Sequence, residues 1–170
     1  MPRSWPWIFF YPAILTSCAT SLRQLEAREE RCEVAAMRKG LSEDRSSVRE
    51  LSARGLGRCG VIEARPELLA RALDPKERRW VRAAAARALG DLNEVSADER
   101  ASASVHEALL RLAASPRIEP EIRLAALDAL AASSSPGCDA IRPLVYDDEL
   151  LVSARAQSIL SEQCPPGGRS

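Results

Sequence analysis

Trp80-Val81-Arg82-Ala83-Ala84-Ala85-Ala86-Arg87-Ala88-Leu89-Gly90-Asp91-Leu92 is the stretch whose reading decides the fold. Alanine and leucine are strong helix formers, and Val81, Ala85 and Leu89 stand four residues apart, on one face of a helix. The same eight-residue interval runs from Val48 to Leu56, from Ile122 to Leu130 and from Val152 to Leu160. A small residue sits midway in each copy (Ser52 or Ala53, Ala85, Ala126 and Ala156), where a neighbouring helix must come close. Four copies in one register point to a repeated helical unit rather than to a special site.

Outward from the register, each copy follows a shorter apolar stretch and a turn, so the unit is a helical hairpin. The first partner helix is expected from Leu22 to Lys39, with Leu22, Leu25, Cys32 and Ala36 along one stripe and Gly40 as its stop. The second centres on Pro66 to Leu73. After it, Asp74, Pro75 and Glu77 read as the cap, first-turn proline and capping box of the next helix. Ser96 and Glu99 form the same box before Val105, Leu109 and Leu112, and Ser115-Pro116 ends that third partner. The fourth is short, because Ser133 to Gly137 reads as a joint and Pro143 interrupts Ile141 to Tyr146. Register residues recur every roughly 30 to 40 residues, the length of a solenoid repeat, with the extra residues of the longest interval between Asn93 and Ala103.

Bulk composition agrees. Hydrophobic residues make up 46% of the chain but aromatics only 4%, so the core must be built from Ala, Leu and Val, which suits closely spaced helices. Lys+Arg and Asp+Glu both number 24, and the net charge of zero lacks the basic excess that neutralises phosphates. No nucleic-acid partner is expected. The basic residues are almost all Arg, with Lys only at 39 and 76, which serves bidentate ion pairs or simply reflects nucleotide composition.

An apolar β-branched residue, an Arg, small alanines and a Leu eight residues from the start resemble the second helix of a HEAT-type repeat. The resemblance covers about residues 33 to 162 and departs from the pattern in the fourth copy, where Ser153 replaces the Arg. It implies an all-α, short right-handed α-solenoid of about four antiparallel hairpins, spanning residues 22–164. No hairpin buries its apolar face alone, and stacking gives one continuous core. In that family the Arg after the register residue, here Arg49, Arg82 and Arg123, commonly belongs to a polar ladder paired with acids near the turns, such as Asp44, Asp74 or Glu119. The other reading of these three arginines is an exposed row for a partner.

At the N-terminus, Met1-Pro2-Arg3 is short and positive, and Trp5 to Leu15 is an apolar run too short to span a bilayer and broken by two prolines. Leu15-Thr16-Ser17-Cys18 then resembles the lipobox of bacterial lipoproteins. The resemblance implies a signal peptide over 1–17, lipidation of Cys18 with acyl chains such as palmitate, and a tether over 18–21. Each buried methylene of such chains contributes about 0.8 kcal/mol. Ala19 and Thr20, without an Asp after the Cys, lean towards the outer membrane, facing the periplasm. Ser17-Cys18-Ala19 also fits a small-x-small site, which would leave a secreted protein. Residues 165–170, Pro-Pro-Gly-Gly-Arg-Ser, are expected to be a disordered tail.

Cys32 and Cys59 fall in the first hairpin and Cys138 and Cys164 in the last. An exported chain permits disulfides, and antiparallel helices favour Cys32 with Cys59 and Cys138 with Cys164 among the three connectivities. A continuous first helix leaves a mismatch of roughly 9 Å along its axis, so the chain is expected to fold back after Gly57. No metal site is expected, as the thiols lack close ligand spacing and the chain has one His.

His106 lies beside Val105 and Glu107 on the third partner helix with no motif for a nucleophile or paired carboxylate, so no catalytic residue and no cofactor are expected. Gly55-Leu56-Gly57-Arg58-Cys59-Gly60 ends a helix and does not follow a strand, so it reads as a stop and not a phosphate loop. Some HEAT-like repeats occur in bilin lyases, but the short chain, the signal segment and the scarce aromatics lead to the expectation of a non-enzyme. The functional expectation is a membrane-anchored envelope lipoprotein that offers its second helices to another protein. The alternatives are a structural subunit of an envelope complex or a secreted HEAT-like protein with lyase-type activity.

Overall fold

Four long helices carry the register, and each holds its register residues inside. In the computed structural model, which describes residues 24, 26–27, 31–94, 99–133 and 136–164, they are α2 (Ser46–Arg58), α4 (Arg79–Glu94), α6 (Pro120–Ala131) and α8 (Leu150–Gln163). Val48, Val81, Ile122 and Val152 are all buried, as are Ala53, Ala85, Ala126 and Ala156 midway along. Their partners are α1 (Val34–Gly40), α3 (Arg65–Leu73), α5 (Glu99–Ala114) and α7 (Cys138–Ile141), the last continued by a 3-10 turn over Arg142–Tyr146. Pro66 and Pro120 occupy the first turns of α3 and α6, where a fixed φ and a missing N–H cost nothing. No strand occurs among the described residues. The architecture is an all-α solenoid of HEAT-like hairpins.

The second helices form one layer, with α2 against α4, α4 against α6 and α6 against α8, and each partner helix covers its own second helix from the other side. Small residues govern the spacing. A Cβ added to Gly57 would stand 2.7 Å from the Cα of Ala88, and one added to Gly90 would stand 2.6 Å from the Cα of Ala129. The backbones of successive second helices therefore touch. Ala131 holds the equivalent position in α6, and the α6–α8 seam is looser. The partner helices α3 and α5 meet only sparingly.

The chain folds back just after Gly57, as expected, with α2 ending at Arg58. The stop is Gly60, at φ 65°, where a side chain is disfavoured. Gly60 N–H donates to Gly57 O and Val61 N–H to Leu56 O, a Schellman closure that folds buried Val61 onto buried Leu56. The first partner helix is not continuous to Lys39 from Leu22, since Cys32 lies in a turn at φ 52° and α1 begins at Val34. Asp74 and Glu77 do not box the next helix, which starts at Arg79. Asp74 accepts from Lys76 N–H within the turn, and Glu77 is taken by an arginine of the preceding hairpin. Leu22, Leu25, Ser96 and the tail 165–170 lie outside the described residues.

Both ends of the stack are stapled. Cys32 is bonded to Cys59 with Cα atoms 5.6 Å apart, and Cys138 to Cys164 with Cα atoms 5.9 Å apart. The turn at Cys32 removes the axial mismatch that a continuous first helix would impose. Among the described residues the first and fourth hairpins have a neighbour on one side only, and each closed loop contributes about 3.5 kcal/mol by chain entropy. Reduction is expected to lower the melting temperature by ten degrees or more on a scale of about 4 °C per kcal/mol, and an unchanged melt after verified reduction would refute the stapling role. Gly90→Ala is expected to cost about 2 kcal/mol in urea unfolding, because the added methyl meets backbone and not a flexible side-chain tip.

Candidate functional site

Arginine ladders arise here from a simple need. The last carbonyls of each partner helix have no intrahelical donor, and the start of the following second helix lies beside them. Arg82 Nε donates to Ala72 O at 3.1 Å, at the end of α3, and Arg123 Nε donates to Ala113 O at 2.9 Å, at the end of α5. Arg49 Nη1 donates to Glu43 O at 2.6 Å and Asp44 O at 2.7 Å in the turn after α1. The rest of each guanidinium reaches forward by one hairpin. Arg49 holds Glu77 through two bonds of 2.7 Å, Arg82 Nη1 lies 3.5 Å from Glu119 Oε2, and Arg123 grips both oxygens of Asp147, with Nη1 at 2.9 Å from Oδ1. Each pair thus joins one repeat to the next. Arg82 and Arg123 are only 5% and 3% exposed, so their charged groups face the inside of the stack and not a partner.

Electrostatics follow. Arg123 hydrogen bonds hold the Asp147 carboxyl below the usual range, burial opposes this, and Glu149 N–H and the Arg123 charge add to the lowering. Burial pushes Glu77 up, but the Arg49 bonds, the Arg78 N–H and the charges of Arg49 and Arg71 outweigh it and leave the carboxyl low. Ser153 stands where the fourth Arg would be. Its hydroxyl donates to Val145 O at 2.6 Å, which keeps a carbonyl partner without a forward charge.

The open face of the second-helix layer carries a groove of about 410 Å³. Ala83, Ala84 and Ala88 form its floor, Trp80 its wall, and Glu50, Arg54, Arg87, Asp91 and Glu121 its rim. The alanines are small because the helices are close, and that smallness leaves the floor recessed. Trp80 is 42% exposed, with the Arg78 guanidinium 6.0 Å from its ring centroid. Ion pairs cross the seams beside it: Arg79 with Glu121 at 3.5 Å, and Asp128 shared by Arg87 at 3.9 Å and Arg155 at 2.8 Å. An apolar floor, an aromatic wall and charges of both signs can take a peptide or helix of another protein.

Of the residues singled out from sequence, the structure brings Arg49, Arg82 and Arg123 into the ladder and the four cysteines into two terminal bonds, while Cys18 lies outside the described residues. His106 is half-buried and burial lowers its pKa, and its Nε2 lies so near Gly137 that a Cβ there would approach within 2.9 Å. Trp80 in its groove and the packing glycines are what sequence reasoning misses. The available signal for Trp80 is its place just before the register residue, where a core aromatic is not needed. No group of three or more His, Cys, Asp or Glu that could hold a metal ion occurs among the described residues, and no described helix is long and apolar enough to cross a membrane.

Comparison with known proteins agrees on the fold. The family described as HEAT repeats matches residues 34–110. Among solved structures, a chain in the complex of CpcE and CpcF of phycocyanin lyase from Nostoc sp. PCC7120 is similar, with a TM-score of 0.66, 22% identity, and coverage of 88% of this chain and 91% of that one. No curated protein matches in sequence. The expectation of a non-enzyme is corrected by this likeness. The chain shares its fold, over most of both lengths, with a part of a lyase complex, so a short chain is no argument against that class.

The ladder makes a pH prediction. A depressed carboxyl pKa contributes stability that is complete above the unfolded value of about 3.9 and is lost as pH falls through the lower folded value. Asp147→Asn removes the balancing charge and one of the three acceptors of buried Arg123, and is expected to cost about 3 kcal/mol at pH 7. Urea unfolding at pH 7 and pH 3 checks both points: the native chain loses stability between them, and the variant, already lower, loses less.

Proposed function

We propose that the chain is a protein-binding scaffold, held at a bacterial envelope membrane by lipidated Cys18 and presenting its second-helix groove to another protein. The observation that carries this reading is the groove itself, with Trp80 beside a recessed alanine floor and ion pairs at its rim. Two disulfides at the ends of the stack suit an exported chain in an oxidising compartment. The lipobox-like Leu15-Thr16-Ser17-Cys18 supports a lipid anchor, and Ala19-Thr20 supports the periplasmic face of the outer membrane.

A second reading follows from the likeness to the phycocyanin lyase complex: this chain is one subunit of a lyase-type enzyme built with a partner chain. Both readings place a protein against the solenoid and differ in whether chemistry follows. A partner-loaded preparation that changes the absorbance of an added bilin favours the second.

A photo-crosslinking residue placed at Ala84 in living cells is expected to capture a defined protein, while the same residue at Arg71, on α3, is expected to capture none. Equal capture from both positions would sink the groove as the binding face. In cells fed labelled palmitate, Cys18→Ser is expected to abolish the label, and undiminished label would remove the anchor.

A further inference from the structure

We propose that the start of α8 docks a basic amphipathic helix, an inference that rests on the scaffold reading and names its partner's chemistry. Tyr146, Leu150 and Leu151 are 88%, 76% and 59% exposed and lie within six residues of one another. The repeat does not call for them. Ser46, Arg79 and Pro120 hold the position of Leu150 in the other copies, and Ser47, Trp80 and Glu121 hold that of Leu151. The rest of this flank of α8 is small or polar, with Ala154, Gln157 and Ser161 exposed, so the apolar cluster stands out on it. An apolar cluster retained at one end of an otherwise wet flank marks an interaction surface.

Charge selects the occupant. Asp148 is exposed and Glu149 half-buried within this same segment, and neither has an ion-pair partner among the described residues. Asp147 between Tyr146 and Asp148 is already spent on Arg123, and the nearby Arg142 pairs with Asp139 at 3.6 Å. The patch is therefore three large apolar side chains beside two uncompensated carboxylates. A helix with a leucine stripe flanked by lysine or arginine covers the first and neutralises the second. An anionic bilayer would cover the leucines but repel the carboxylates, and a second copy of this patch would set the same acids against each other.

The test uses the mature chain with both disulfides intact and a synthetic Leu/Lys amphipathic helix of about 18 residues as the probe, with a Leu/Glu helix of the same pattern as its counterpart. Calorimetry is expected to show binding of the Lys helix, weakened roughly tenfold or more by Leu150→Ser with Leu151→Ser, two exposed sites whose change leaves the melt intact. Asp148→Asn with Glu149→Gln is expected to weaken binding and flatten its salt dependence. Equal binding of the Glu helix, or indifference to both double variants, overturns the proposal. So does adsorption to phosphatidylglycerol vesicles, or self-association in sedimentation, that the leucine variant abolishes. If Ala84 still captures its partner while the Lys helix ignores the patch, the scaffold reading stands and this one falls.

Discussion

Backbone contact between successive second helices is the constraint from which the rest of the molecule follows. Gly57 against Ala88 and Gly90 against Ala129 bring two pairs of helices closer than any side chain would allow. That closeness demands alanine on the floor between them, which explains the run from Ala83 to Ala88 and the core's reliance on small residues over aromatics. At the third seam Ala131 stands where the other two have glycine, and the fourth hairpin is tied to the third by Arg123 on Asp147, Arg155 on Asp128 and Gln163 on Ala131 O.

The ladder solves a second problem that stacking creates. Packing a second helix over the end of its partner buries carbonyls that water would otherwise satisfy, and an unpaired buried carbonyl costs about 1–3 kcal/mol. Arginine meets this need and has donors to spare, so the same side chain satisfies Ala72 or Ala113 and reaches a carboxylate one hairpin on. The charge is thereby balanced between repeats, and the direction is fixed: guanidinium behind, carboxylate ahead. Ser153 ends the series consistently, keeping the carbonyl and giving up the forward reach.

What sequence makes legible here is whatever depends on residues a few positions apart. The register residues Val48, Val81, Ile122 and Val152 are read from helical period alone, and their recurrence gives the hairpin count and the all-α solenoid. Contacts between hairpins are not local, and there the reading diverges. The cluster Gly55 to Gly60 reads rightly as a helix stop, but nothing local shows that Ala88 of the neighbouring helix lies against Gly57. Glu77 fits a capping box with Asp74, yet Arg49, 28 positions earlier, takes its carboxylate. The common register of Arg49, Arg82 and Arg123 is plain, but their acids lie 28, 37 and 24 residues on, an irregularity that follows the loop lengths and hides the pairs. Cys32 sits in a polar run with no glycine or proline, so nothing local signals the left-handed turn that brings it to Cys59.

Repetition also separates structure from function along a single helix. The register residue and the midway small residue are buried in every copy, and the Arg that follows the register residue in three of them reaches the next hairpin. The position just before the register residue does not recur: it is Ser47, Trp80, Glu121 and Leu151 in turn. The four hold the same register position on four successive second helices, and Trp80 and Glu121 among them line the groove. Apart from the Glu121 pair with Arg79 across one seam, the stack does not use them, so their identity can vary with a partner. The row passes from hydroxyl through indole and carboxylate to leucine, and that change across a regular frame gives the solenoid a face with two distinct ends, able to fix the orientation of whatever lies along it.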